Sequence, residues 1–416
     1  MSQTESYDAI VVGAGPAGAA FTLHAQRLGL RVLLLDKARF PRDKTCGDAL
    51  SGRSVVELDR LDLLPAVRSL PGAPIRRLVF GSPAGDTVSV ALTPPARPGQ
   101  PRAAATAAEG YVVPRLHFDN LLFCRAQAAA YRCESGLTVH DLEWQDGRAT
   151  GVRGVNSRGE AVRFRGRVVI GADGFSSVVA RRAGLYAHDP QHWMVALRCY
   201  YEGVAGLDDQ IELHFVDEVL PGYLWLFPAG QGRANVGIGM NHADLKRHGV
   251  DLRQALARAL ALPRFAARMA AARPLERPVG WNLPVGSRRR PAVGEGLMLI
   301  GDAAGLIDPF TGEGIGNSLL SARLAADTAF QACQADNVSA GFLRRYEDTV
   351  WAALGGELNT STRMHRLAHR RWLVNLVIRR AARRPEISAA ISAMLLDPDD
   401  RRRLLDLRFY LGLLFG

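Results

Sequence analysis

The apolar residues of this chain follow two rhythms, one of strands and one of helices. Residues 7–12, Tyr-Asp-Ala-Ile-Val-Val, make a β-branched run of strand length. A glycine-rich turn separates them from residues 19–29, whose apolar positions repeat at helical spacing, and residues 31–35 form a second strand of buried type. Similar apolar strands recur at 168–171 and 296–300, the latter followed by a helical stretch over 319–329. Strand, tight turn, helix and strand in this order predict an α/β fold with a doubly wound, Rossmann-like domain. Residues 1–49, 110–184 and 291–335 are assigned to it.

Residues 50–109 and 185–290 read differently. Their short strand-like runs, punctuated by Pro and Gly, predict an inserted, mainly antiparallel β-sheet domain for substrate. Within it Tyr223, Trp225 and Phe227 alternate along one strand and so share a face, either as an aromatic wall or as an ordinary sheet core. Residues 94–110 are small and rich in Pro and Ala, the composition of a mobile loop. From 336 to 416 the chain is helical in character, with helices expected at 340–358, 362–384, 385–396 and 399–415. The second of these sets Arg366, Arg370, Arg371, Arg379, Arg380, Arg383 and Arg384 against Leu367, Trp372, Leu373, Leu376, Val377 and Ile378. This basic amphipathic pattern fits a helix on anionic lipid or a cap with a solvated basic face.

Composition narrows the function class. With 416 residues, 48% of them hydrophobic, the chain can bury a sizeable core. Its net charge of +11 is almost wholly arginine, since Lys37, Lys44 and Lys246 are the only lysines. Such a balance suits an anionic partner. Nucleic acid is not expected, because zinc-finger spacing, an RNP-like aromatic strand and a recognition-helix pattern are all missing. The five cysteines (Cys46, Cys124, Cys133, Cys199, Cys333) lie at long, irregular spacings, which suits neither a disulfide framework nor a metal site. No metal is expected. The opening residues lack a signal peptide's basic and apolar regions, and no apolar run reaches the roughly 20 residues of a membrane span. The expected location is cytoplasmic, either free or peripheral on the inner face of the cell membrane in contact with anionic lipid.

Candidate chemistry begins at the first turn, Gly13-Ala-Gly15-Pro-Ala-Gly18. Glycine at these three positions permits the turn, lets backbone approach a pyrophosphate and brings the helix against the strand; the helix N-terminus offers free N–H groups. Asp36 ends the second strand eighteen residues past Gly18, where an adenine dinucleotide needs an acceptor for its ribose hydroxyls. Two later strands run into Ala172-Asp173-Gly174-Phe175-Ser176-Ser177 and Gly301-Asp302-Ala303-Ala304-Gly305, with Gly312-Glu313-Gly314-Ile315 at the start of the late helix. These motifs together resemble the para-hydroxybenzoate hydroxylase superfamily of FAD-dependent flavoproteins. The resemblance implies that Asp302 binds the ribityl chain, that Gly314 and Ile315 face the flavin, and that Arg115 reaches the dinucleotide from the start of its helix.

Within that superfamily, Lys44-Thr-Cys46-Gly47 and Tyr223-Leu-Trp225-Leu-Phe227-Pro228, followed by Gly237-Ile-Gly239, resemble the geranylgeranyl reductases. The resemblance spans about residues 7–329. It implies FAD contacts from Ala17, Lys37, Cys46, Gly47 and Ala49, and an isoprenoid channel walled by Tyr223, Trp225, Phe227 and Pro228. The implied reaction saturates alkenes of a prenyl chain on a lipid, quinone or pigment. An isolated alkene needs a hydride on one carbon and a proton on the other, and Cys46, Tyr223 or a bound water are the candidate acids. No second dinucleotide motif is present, so the electron donor is a visiting NAD(P)H or a reduced carrier protein. Rival readings are an FAD-dependent hydroxylase or halogenase on a polycyclic or carrier-bound substrate, and a flavin-carrying assembly protein without turnover. A halogenase is disfavoured because no lysine occurs between Lys44 and Lys246.

Overall fold

The computed structural model describes residues 6–92, 110–186 and 188–384. Its first sheet is built on the strand Ser6–Val12, which pairs in parallel with Val32–Asp36 on one side and Ala161–Gly171 on the other. Leu297–Leu299 and Arg132–Ser135 extend it in parallel at the two flanks. Leu33, Leu34 and Leu35 are completely buried, as a parallel strand covered on both faces requires. The helices Pro16–Arg27, Arg115–Ala129 and Ile315–Gln334 pack into this core.

A second sheet runs in the order Arg273–Pro274, Trp193–Glu202, Arg233–Asn241, Tyr223–Gly230, Gln210–His214, Arg77–Gly81 and Thr87–Ala91. All its neighbouring pairs are antiparallel except Gln210–His214 with Arg77–Gly81. A small sheet of Ala49–Leu50, Gly110–Val112 and Ala73–Ile75 lies where the chain passes between the two. The α/β class expected from the sequence, a doubly wound sheet with a second, mainly antiparallel sheet, is therefore present.

Helix boundaries differ from the sequence expectation for local reasons. The first helix begins at Pro16, three residues early, because proline tolerates the first turn and Gly15 takes the extended N-cap conformation. The late helix starts at Ile315 directly after Gly314. The expected break near residues 359–361 does not occur: one helix runs Ala340–Ala368, and a second runs Arg371–Arg383. Within the longer one, Thr360 and Thr362 turn their hydroxyls back onto the carbonyls of Gly356 and Leu358, which satisfies them inside the helix. The expected helices at 385–396 and 399–415 and residues 94–109 of the expected loop lie outside the described residues. Among the described residues no helix is long and apolar enough to cross a membrane.

The first turn shows why glycine is needed there. Gly13 has φ +103°, and a β-carbon on it would stand 2.4 Å from the Ala172 carbonyl oxygen. A β-carbon on Gly18 would stand 1.8 Å from the Gly13 carbonyl oxygen, so the bare α-carbon is what seats the helix on the strand. Gly18→Ala is expected to push the helix off the turn and lower unfolding stability by about 1–3 kcal/mol, read by denaturant titration.

Candidate active site

One cavity of about 1160 Å³ runs along the junction of the two large sheets. It exceeds the roughly 300–1,000 Å³ typical of a single small-ligand pocket. Its two ends differ in chemistry.

At the polar end lie Gly13, Gly15 and Ala17, with the N-terminus of the Pro16–Arg27 helix, which carries no side-chain cap. Gly18 is not on the wall; it sits beneath Gly13. Asp36 and Lys37 border the same end. The Asp36 carboxylate accepts hydrogen bonds from the Ala14 N–H at 2.6 Å and the Ala38 N–H at 2.7 Å, which fixes the strand end to the turn. Arg115 is nearly fully buried and grips Asp119 through two nitrogens. Asp119 also accepts from Arg42 at 2.6 Å, and another Arg42 nitrogen comes within 3.6 Å of where a β-carbon on Gly15 would stand. Arg42 thus points charge at the glycine turn, a role that no local sequence motif signals.

Midway, Asp302 faces the cavity, and its carboxylate makes no protein hydrogen bond among the described residues. Burial raises its pKa, opposed by the charges of Lys44 and Arg115. Lys44 stands with its ammonium 3.9 Å from the Trp281 ring centre. Burial and the neighbouring Arg115 push its pKa down to about 8. A glycine cradle under a helix end, a paired arginine cluster and a half-buried carboxylate without a protein donor among the described residues fit an extended dinucleotide that carries a pyrophosphate and a polyhydroxyl chain. Asp173, from the middle motif, instead caps its own helix by accepting from the Ser177 hydroxyl and the Val178 N–H.

Cys46, Gly47, Ala49, Gly314 and Ile315 line the middle of the cavity. Beyond them the wall turns apolar. Tyr223, Trp225 and Phe227 share one face, with successive ring centroids 6.3 Å apart. Pro228 falls on the other face by simple alternation and does not border the cavity, contrary to the expectation that it contacts substrate. Gly237, on the neighbouring strand, leaves room for the indole: a β-carbon there would stand 2.1 Å from Trp225 Cζ2. Leu78, Val88, Phe215 and Phe310 continue the apolar wall. Met364, Leu367, Leu373, Val377 and Ile378 roof it from the C-terminal helices, a contribution the sequence did not reveal.

A buried polar network binds residues 43–48 to the second sheet. Asp48, fully buried at φ +67°, accepts from the Tyr200 hydroxyl and from Asn235 Nδ2. Asn235 Nδ2 also donates to the Cys46 carbonyl at 2.7 Å, and Asn235 Oδ1 accepts from Trp225 Nε1 at 2.9 Å. Arg198 joins Asp43 and Glu276. Burial pushes the Asp48 pKa up to about 6, opposed by the Tyr200 and Asn235 hydrogen bonds. Asp48 directly follows the Cys46-Gly47 motif and was open to notice; Asn235, Tyr200 and Arg198 carry no local signal.

Comparison with known proteins shows the family and the fold. The FAD binding domain family matches residues 6–325. A digeranylgeranylglycerophospholipid reductase of Methanopyrus kandleri is 33% identical over 350 residues, covering 82% of this chain and 85% of the relative. The menaquinone reductase of Mycobacterium tuberculosis is 33% identical over 347 residues, covering 79% and 77%. Among solved structures, a geranylgeranyl bacteriochlorophyll reductase-like protein from Thermoplasma acidophilum superposes with TM-score 0.83 at 24% identity, covering 97% of this chain and all of that one. A flavin-dependent brominase superposes at 0.75 with 18% identity, covering 94% of each chain. At such identities these two structures speak to the fold alone.

Two outcomes test the site. Replacing Arg42 by Met should weaken FAD binding about 10- to 100-fold in a fluorescence titration, the size of one lost charge-assisted hydrogen bond. For Asp48 the folded pKa lies above the unfolded value of 3.8, so its contribution to stability is full below about pH 4 and is lost as pH rises through about 6. The stability difference between Asp48→Asn and the parent should therefore move in the variant's favour by on the order of 2–3 kcal/mol between about pH 4 and pH 8. Asparagine also accepts positive φ, so the backbone is spared.

Proposed function

This chain belongs to the geranylgeranyl reductase family of FAD-binding oxidoreductases, and we propose that it saturates carbon–carbon double bonds of an isoprenoid chain carried on a lipid, quinone or pigment. The observation that carries this reading is the continuity of the cavity, which leads from the dinucleotide cradle into a channel walled by Tyr223, Trp225 and Phe227 and roofed by aliphatic side chains. Each CH₂ group buried there contributes about 0.8 kcal/mol, so a long unfunctionalised chain finds its affinity in such a wall. The names of the relatives at 33% identity, reductases of digeranylgeranylglycerophospholipid and of menaquinone, support the same substrate class.

Bound FAD, once reduced, supplies the hydride. The protein's part is to hold the alkene, exclude water and provide a proton. Asp302 and the Arg42–Asp119–Arg115 cluster hold the cofactor. Tyr223 is poorly suited as the acid: its hydroxyl donates to the Thr311 carbonyl at 2.6 Å, and burial raises its pKa, as do the charges of Asp308 and Glu313. We assign Tyr223 to the wall. Cys46, on the loop between the cradle and the wall, takes the role of proton donor to the alkene carbon that does not receive the hydride. The electron donor is NAD(P)H or a reduced carrier protein, and the working location is the cytoplasmic face of the membrane.

The test is anaerobic. Holoprotein reduced with dithionite is incubated with a geranylgeranylated glycerolipid and, separately, with a menaquinone, and the products are read by mass spectrometry. The expected result is a gain of two hydrogens per double bond, slowed about 10²- to 10⁴-fold in Cys46→Ala. Unchanged turnover in that variant gives the proton to water. Oxygen incorporation in air without saturation would replace the reductase reading by a hydroxylase.

A further inference from the structure

The helix Arg371–Arg383 has two unlike faces. Its inner face, Val374, Ile378 and Ala381, is buried against Val88 and Val90 of the second sheet, and Leu373, Val374, Val377 and Ile378 border the apolar end of the cavity. At helical spacing Trp372, Leu376, Arg379, Arg380 and Arg383 fall on the opposite side. Trp372 is 59% exposed, the most exposed large apolar side chain among the described residues. Leu376 is half-buried and belongs to none of the described apolar clusters. Arg380 and Arg383 make no ion pair among the described residues, whereas Arg371 pairs with Asp217 and Arg379 with Asp86. Arg366 and Arg370, exposed where the preceding helix ends, add two more cations without an ion pair there.

An indole and a leucine side chain ringed by arginines match the boundary between headgroups and acyl chains of a bilayer: the ring sits at the interface, and the guanidinium groups meet lipid phosphates. Single exposed aromatics are ordinary on a soluble surface, as Tyr131 and Trp144 are here; what sets Trp372 apart is its place among arginines without ion pairs among the described residues. We propose that the outer face of this helix docks the protein on an anionic membrane, with Trp372 as the anchor and Arg380, Arg383, Arg366 and Arg370 as the electrostatic contacts. The proposal rests on the isoprenoid reading of the cavity, because the docked helix is also the cavity's roof. Only one helix thickness then separates the bilayer from the channel, and the exposed pairs Arg371–Asp217 and Arg379–Asp86 tie the roof loosely to the body.

The experiment uses full-length holoprotein and sedimentation with vesicles of phosphatidylglycerol and phosphatidylcholine, or of phosphatidylcholine alone. Binding is expected to the anionic vesicles at about 0.1 M salt and to be lost near 1 M, where screening falls to about 3 Å. The combined variant Trp372→Ser, Arg380→Ser, Arg383→Ser should lower partitioning at least about 25-fold, roughly fivefold for each arginine. Its flavin spectrum, melting temperature and turnover of a short water-soluble prenyl alcohol should match the parent's, since none of the three side chains borders the cavity. Should the combined variant fail to fold, Arg383→Ser alone is read for its fivefold loss. Absence of binding by the parent, equal binding to neutral vesicles, or undiminished binding by the variants overturns the docking surface. Vesicle binding without alkene reduction overturns the substrate reading and leaves the surface standing.

Discussion

The arrangement of the whole site depends on one buried set of hydrogen bonds, those that bind residues 43–48 to the inner face of the second sheet. Asn235 stands at its centre and joins three things at once: the backbone of Cys46, the carboxylate of Asp48 and the indole of Trp225. Burying polar groups is costly unless they find mates, and although Asp48 Oδ1 has no partner among the described residues, its Oδ2 and both ends of the Asn235 amide are paired, which favours one geometry. The loop therefore has no freedom to drift from the aromatic wall, and a β-carbon on Gly47 would already press on Phe227. The two sheets meet as a consequence, with the cavity as the space the clamp leaves between them.

Electrostatics at the polar end follow the same logic of paired groups. Asp119, completely buried, serves two guanidinium groups. Neither arginine is neutralised outright by the shared carboxylate, so the cluster keeps positive charge directed at the glycine turn. Asp302 and Lys44, on the other hand, face the cavity with donors and acceptors that protein groups do not use up. Burial pulls both toward their neutral forms, and a ligand rich in hydroxyls relieves that penalty.

How much of this could be read from the sequence depends on how local each signal is. The glycine turn, Asp36 and the late Asp302 lie at strand ends, where a few adjacent residues determine the geometry, and all of them except Gly18 reach the cavity wall. The alternation of Tyr223, Trp225 and Phe227 was legible for the same reason, and the same alternation should have excluded Pro228. The clamp was not legible, because Asp48 lies more than 150 residues from Tyr200 and Asn235, which face each other on neighbouring strands, and no periodicity reports such a meeting. The roof was half legible. Amphipathic spacing showed that residues 371–383 have an apolar side, but not that this side closes a cavity. The displaced helix break is a competition between two hydroxyl habits, turn-forming and back-bonding, which sequence alone cannot weigh.

Position 48 carries a consequence for how such proteins diversify. Its backbone lies in a region that favours glycine, asparagine and aspartate, although Gln231 also adopts it in this chain, so natural drift there is biased toward a short alphabet. Within that alphabet the turn survives every exchange, yet a glycine would remove the acceptor that Tyr200 and Asn235 share. A lineage could thus loosen the cysteine-bearing loop through a single codon while leaving the architecture intact, which makes this residue an economical route to new reactivity.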